Sequence, residues 1–212
     1  MKKIAAIMPC FLGDYPGAAS NREFKLTRAV NSFLCNDYKD KLLIIVSDGC
    51  EKTNWMYRKQ MSGHREIHLV KINKQPLFSG NVRQAGIDYA KKLGVEIIAY
   101  LDSDDIIYPF HLRAISEQIG LNDWVYFNDF LCMDAGIKKV GLRTVELKLG
   151  SAGTSAIAHR LIDGAGWDGC DNYGHDWTFI QKLMLLSDKY SKLPKNYAGY
   201  VVMHYIPLNQ DF

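Results

Sequence analysis

Three apolar runs constrain this chain more than any other feature. They are Ile4-Ala5-Ala6-Ile7-Met8, Leu42-Leu43-Ile44-Ile45-Val46 and Ile97-Ile98-Ala99-Tyr100-Leu101. A strand with one face in water alternates apolar and polar residues, so an unbroken run belongs to a strand covered on both faces. The runs stop at turn-forming or charged residues: Pro9-Cys10, Asp48-Gly49 and Asp102-Ser103-Asp104-Asp105. Residues 67–72 (IHLVKI) and 123–128 (DWVYFN) read as two further strands.

Helical spacing fills the intervals. In 22–35 the apolar positions are Phe24, Leu26, Ala29, Val30, Phe33 and Leu34, and residues 53–62 also look helical. Residues 81–93 carry Val82, Ala85, Ile87, Tyr89 and Ala90, with Asn81 as the expected N-cap and Gly94 past the end. Pro109 is expected to open a helix over 109–119. Strands alternating with helices across the first 130 residues predict an α/β fold: a mostly parallel central sheet with helices on both faces. In such sheets ligands bind beyond the carboxyl ends of the strands, where all three apolar runs terminate.

After residue 130 the pattern loosens. Residues 137–149 read as one or two short strands, 153–162 as a strand entering a helix, and 197–206 as β-rich. Residues 174–187 read as a helix with Leu183, Leu185 and Leu186 in its apolar part. No linker or internal repeat divides the chain, so 1–212 is expected to be a single domain with a small C-terminal region on the same sheet.

Composition narrows the functional classes. Apolar residues make up 48% and charged residues 23%, as in ordinary globular proteins. A formal charge of +3 with scattered basic residues gives no reason to expect nucleic-acid binding. No apolar run approaches the ~18 residues of a membrane span, so no transmembrane segment is expected. The N-terminal MKKIAAIMP, broken by Pro9, reads as a first strand rather than a signal peptide. The five cysteines (10, 35, 50, 132, 170) are widely spaced and include no CxxC pair, which argues against a zinc knuckle or a disulfide framework. A cytoplasmic protein fits this pattern. His64 and His68 are four apart on an expected strand, hence about 13 Å from each other, and no metal site is expected there.

The segment YLDSDDIIY (100–108) puts three carboxylates, Asp102, Asp104 and Asp105, into four positions beside apolar sequence. Ionised groups next to a core are costly unless water, a basic partner or a cation compensates them. Carboxylate oxygens suit Mg²⁺, Mn²⁺ and Ca²⁺. A solvated turn explains the same nine residues equally well, because Asp and Ser are common turn formers.

Several features in order extend this reading. A strand runs into Pro9-Cys10-Phe11, and a second ends in Val46-Ser47-Asp48-Gly49-Cys50. The stretch GNVRQAGIDYAKKLGVEIIAYLDSDD (80–105) is followed by the helical FHLRAISEQI (110–119), and later comes YGHDWTFIQKL (173–183). In this order they resemble family 2 glycosyltransferases with the GT-A fold, over about residues 3–186. The resemblance implies a nucleotide-sugar-binding half at 1–130 and an acceptor-side half at 131–212. It implies a nucleoside-diphosphate sugar as donor, UDP-linked by preference, and a saccharide or other hydroxyl acceptor. Contact with the membrane surface is expected only if that acceptor is lipid-linked.

By the same resemblance, Pro9, Phe11, Asp48, Arg83, Asp102 and Ser103 would contact the nucleotide sugar. Asp104, with Asp102 and His204, would hold Mn²⁺ or Mg²⁺. The alternatives are a turn role for Asp48, a surface Arg83 and a structural His204. Asp105 would either orient its neighbours or cap the turn. Asp176 would be the general base of an inverting transfer, with a helix-capping acid as the alternative and Asp168 or Asp171 next in line. The chain departs from the family pattern at two positions: Gly86 stands where Asn is usual, and His175 where Glu usually precedes the Asp. Competing readings are a sugar-nucleotide pyrophosphorylase, although the loop after the first strand lacks the close GxGxR spacing, and a degenerate sugar-nucleotide-binding protein.

Overall fold

The computed structural model describes residues 2–15, 18, 21–76, 78–134, 138–170, 172–194 and 197–202. The elements in chain order begin with β1 (Ile4–Cys10), α1 (Arg22–Leu34), β2 (Lys41–Asp48), α2 (Glu51–Gln60), β3 (Ile67–Ile72), α3 (Gly80–Lys92) and β4 (Ile97–Tyr100). There follow β5 (Ile106–Ile107), α4 (His111–Ile119), β6 (Trp124–Tyr126), β7 (Asn128–Asp134) and β8 (Lys138–Arg143). Last come β9 (Ile157–Arg160), α5 (His175–Leu186), β10 (Tyr190–Lys192) and β11 (Ala198–Val202).

The seven-stranded sheet has the order β10-β6-β9-β4-β1-β2-β3. Strands β3, β2, β1 and β4 run parallel, as their continuous apolar character predicts. Strand β9 runs antiparallel between β4 and β6. Successive β1 side chains point to opposite faces. Ile4, Ala6, Met8 and Cys10 join one core with Leu26 and Phe33 of α1, Met56 of α2 and Ile115 of α4. Ala5 and Ile7 join the other, with Ile87 of α3 and Phe179 and Leu183 of α5. Both faces are therefore covered, and the fold is the expected α/β arrangement with a mostly parallel central sheet. At Gly86 a Cβ would sit 2.6 Å from Ile7 Cγ2, so glycine lets α3 lie directly on β1.

A four-stranded sheet, β5-β11-β7-β8, forms a separate layer that the sequence pattern did not indicate. The expected strand over 123–128 is split: β6 stops at Tyr126, and β7 begins the second sheet at Asn128. Residues 153–162 hold a single 3₁₀ turn (Thr154–Ala156) and β9, with no helix after them. The helix expected from Pro109 starts at His111, because Pro109 and Phe110 form the preceding turn. Asn81 is not the cap of α3: it lies inside the helix, with Ser79 at the N-cap. On α5 only Leu183 of the three expected leucines is buried; Leu185 is 86% exposed. Phe24 of α1 also faces solvent, while the Lys25 stem takes a buried position.

Candidate active site

The ends of β1, β2 and β4 open into a cavity of about 550 Å³. The structure brings Pro9, Phe11, Asp48, Arg83, Asp102, Ser103, Asp104 and Asp176 to its walls. His204 and Asp171 lie outside the described residues. Asp168 is exposed and paired with Lys182, Nζ to Oδ2 at 3.0 Å, and does not line the cavity.

On one wall, Asp48 is buried at the end of β2. Its Oδ2 accepts from Lys74 Nζ at 2.6 Å, and its Oδ1 from the Gln75 backbone N–H at 2.6 Å. Gly49 makes this possible: its φ of 61° is left-handed, and a Cβ would lie 2.5 Å from the Lys74 nitrogen. Lys74 also stands 4.5 Å from the centroid of the Phe11 ring. Nothing in the sequence pattern marked Lys74, which follows β3 in an ordinary polar loop.

On the floor, the three clustered carboxylates have separate surroundings. Asp105 is only 3% exposed and accepts from Tyr200 Oη at 2.8 Å. The same hydroxyl oxygen accepts the Asp102 backbone N–H at 3.0 Å, so Asp105 orients its neighbours through Tyr200. Arg28 Nη2 donates to the Asp104 carbonyl at 2.5 Å. Lys25 also lines the cavity. Burial pushes its ammonium pKa down, and the charges of Asp104 and Asp105 oppose that shift. Beside them the Cys10 thiol is pushed up to about 12, chiefly by burial, so it remains protonated.

Arg83 joins the floor to the opposite wall. Its side chain is 4% exposed. Its Nη2 donates to Asp102 Oδ1 at 2.9 Å, and its Nη1 lies 3.5 Å from Asp176 Oδ1. Burial works against the guanidinium charge, but Asp102 and Asp176 outweigh it and raise its pKa above the ordinary value. Arg83 Nε is buried without a hydrogen-bond partner. Asp176 lies in the first turn of α5, and its Oδ2 accepts from the Thr154 backbone N–H at 3.3 Å. His175 completes this wall, with Nε2 3.1 Å from Asp176 Oδ1. The Phe78 ring lies 5.4 Å from the His175 ring. Phe78 has a φ of 77°, a region that bulky side chains seldom enter and that tends to mark functional sites.

Among the described residues no group of three His, Cys, Asp or Glu side chains is placed to hold a metal ion. Asp102, bridged to Arg83, and Asp104 line the cavity floor beside Asp105, which is hydrogen-bonded to Tyr200. That donor set does not make a closed cage. It fits an ion of the Mg²⁺ type, which takes one or two protein carboxylates and completes its shell with phosphate oxygens and water.

No known protein-family profile matches the chain. An uncharacterised glycosyltransferase of Nostoc sp. is 33% identical over 103 residues, which is 47% of this chain and 30% of that protein. The crystal structure of residues 1–349 of S. aureus TarS shares the fold with a TM-score of 0.72 at 16% identity, over 95% of this chain and 60% of that one. The same fragment in complex with UDP-GlcNAc gives 0.72 at 15% identity, over 94% and 58%. Its complex with UDP gives 0.68 at 17% identity, over 94% and 60%. The match thus spans about a third of the Nostoc protein and under two thirds of the TarS fragment. Among the described residues no helix is long and apolar enough to cross a membrane.

Proposed function

We propose that the chain is a glycosyltransferase that moves a sugar from a nucleoside diphosphate to an acceptor hydroxyl, with inversion in a single displacement. The observation that carries this reading is the convergence of Asp48, Asp102 and Asp104 from two strand ends, with Asp176 facing them across one cavity. The named similarity to a glycosyltransferase of Nostoc sp. and the fold shared with TarS support it. Because TarS was solved with UDP and with UDP-GlcNAc, a uridine donor is favoured.

In this reading Asp48 and the Phe11 ring take the base, and Asp102 and Ser103 take the ribose side of the donor. Asp104, with Asp102, would hold Mn²⁺ or Mg²⁺ against the diphosphate. Such an ion supplies Lewis-acid stabilisation of the charge that grows on the leaving phosphate. Arg83 keeps Asp102 and Asp176 at fixed separation while itself remaining charged. Asp176 takes the proton from the acceptor hydroxyl as the oxygen attacks the anomeric carbon, a role that must lie opposite the leaving group. The test is a mass-spectrometric screen of nucleotide sugars for donor hydrolysis and transfer with Mn²⁺. Turnover of a UDP-sugar is expected. A complete panel with no release of nucleoside diphosphate contradicts the assignment.

A further inference from the structure

His175 Nε2 stands between a donor and an acceptor. It is 3.2 Å from Arg83 Nη1 and 3.1 Å from Asp176 Oδ1. Its other nitrogen, Nδ1, is 3.1 Å from the Asn172 carbonyl oxygen. A carbonyl only accepts, so Nδ1 carries the hydrogen and the neutral ring presents a lone pair at Nε2. Arg83 Nη1 has two hydrogens; one goes to Ser79 Oγ, and the other points into the space shared by His175 and Asp176. The neutral ring is therefore satisfied by Arg83. A ring protonated at Nε2 has to donate, and among the described residues Asp176 Oδ1 is the acceptor within reach of that nitrogen. One proton exchanges one partner for the other with no movement of the ring.

We propose that His175 is the proton-holding partner of Asp176, a role that rests on the glycosyl-transfer reading above. The acceptor O–H bond breaks as the oxygen bonds to the anomeric carbon. The bond from that carbon to the diphosphate oxygen breaks, and its electron pair leaves with the nucleoside diphosphate. The proton passes to Asp176 and onward to His175 Nε2, from which it returns to water. The charged groups facing the ring are Arg83 from α3 and Asp176 from α5, with Asp102 beyond Arg83; Phe78 and Trp167 supply its apolar contacts. Two anions and one cation around the ring leave room for the added positive charge.

Two measurements test this. The first compares transfer by wild type and His175→Gln from pH 5 to 9, alongside UDP affinity. The Gln amide keeps a polar head at the Nε2 position but cannot hold the proton. The expected result is a loss of about tenfold in kcat at pH 7, less than the 10²- to 10⁴-fold of a base that acts directly on substrate. UDP affinity should stay within twofold, and the fall in wild-type activity on the acid side should be absent or displaced to lower pH. Superimposable pH profiles overturn the proposal, as does a loss of kcat matched by an equal loss of UDP affinity. The second reads the imidazole nitrogens of the free protein by NMR. At neutral pH the hydrogen should be on Nδ1; finding it on Nε2 overturns the proposal without any assay. A wild type that transfers no sugar at all would remove the parent reading, and the NMR result would still decide the hydrogen-bond arrangement claimed here.

Discussion

Asp48 ends β2 and Asp102 lies two residues past β4, two strands held side by side with β1 by a long parallel register. Asp176, by contrast, begins a helix of the second half and reaches the cavity through one buried guanidinium and one backbone N–H. The wall proposed to bind the donor (the donor wall) is therefore placed by the sheet itself, and the wall proposed to face the acceptor (the acceptor wall) by a few polar contacts across the cavity. The second half shows the same habit elsewhere: Arg143 grips the fully buried Asp129 with Nε at 2.7 Å and Nη2 at 2.5 Å. A sheet register survives the loss of one side chain, whereas a bridge made by one side chain does not. Changes on the acceptor wall should thus impair transfer while nucleotide binding persists.

Asp176→Asn gives the largest expected separation of the two walls. Transfer should fall by about 10²- to 10⁴-fold, the usual contribution of a positioned base. UDP affinity should stay within twofold, measured by calorimetry on the same protein. Turnover within a few-fold of wild type would make Asp176 only the acidic first-turn residue of α5.

Arg83→Met attacks the bridge itself. It leaves Asp102 and Asp176 without their cation, which costs 3–5 kcal/mol for a fully buried pair. Both carboxylates are about one-third exposed, so ~2–3 kcal/mol is the reasonable figure after solvent screening. Chemical denaturation measures it, and a change under 0.5 kcal/mol would mean that the walls are held apart by other contacts.

Acid should loosen β9 and the contact between α4 and the β11 region first. Burial lowers the pKa of His111 to about 3 and of His159 to about 4, below the ordinary value of 6.5. The unfolded chain then binds more protons, so the stability these neutral rings contribute is full above about pH 6.5 and is lost as pH falls towards 4 and 3. Near pH 5 the loss is ~2 kcal/mol per ring. His159 lies on β9 and His111 opens α4 against Tyr197. Hydrogen exchange at pH 5 should show weakened protection at β9 and β11 before β1–β3; uniform loss across the sheet would break the distinction. The smallest effect is expected from Tyr200→Phe, which leaves the buried Asp105 short of one donor at a cost of ~1–3 kcal/mol. Donor affinity should weaken only a few-fold, because the Asp102 backbone keeps its place in the turn through the Asp105 N–H.

The donor wall was legible in the sequence for the same reason that it is robust. A strand buried on both faces has to be continuously apolar, and its end has to be marked by Pro9, Asp48 or Asp102. The acceptor wall was legible only at Asp176. Its partners are remote: Arg83 lies 93 positions before Asp176, and Thr154 lies 22 positions before it. No periodicity joins residues so far apart. The second sheet escaped for a related reason: β5, β7, β8 and β11 come from distant parts of the chain, and the chain changes sheets across Phe127 without a turn signal. Gly86 and His175, which read as departures from a family pattern, each have a local explanation in packing on Ile7 and in the contact with Asp176.

The central claim is that a nucleoside diphosphate binds on the donor wall through a metal held by Asp104. Calorimetric titration of UDP in Mn²⁺ and in EDTA, on wild type and Asp104→Asn, tests it most directly. The account expects affinity at least tenfold weaker in EDTA, and a similar loss for Asp104→Asn in Mn²⁺ with an unchanged melting temperature. Equal UDP affinity in Mn²⁺ and in EDTA would contradict it.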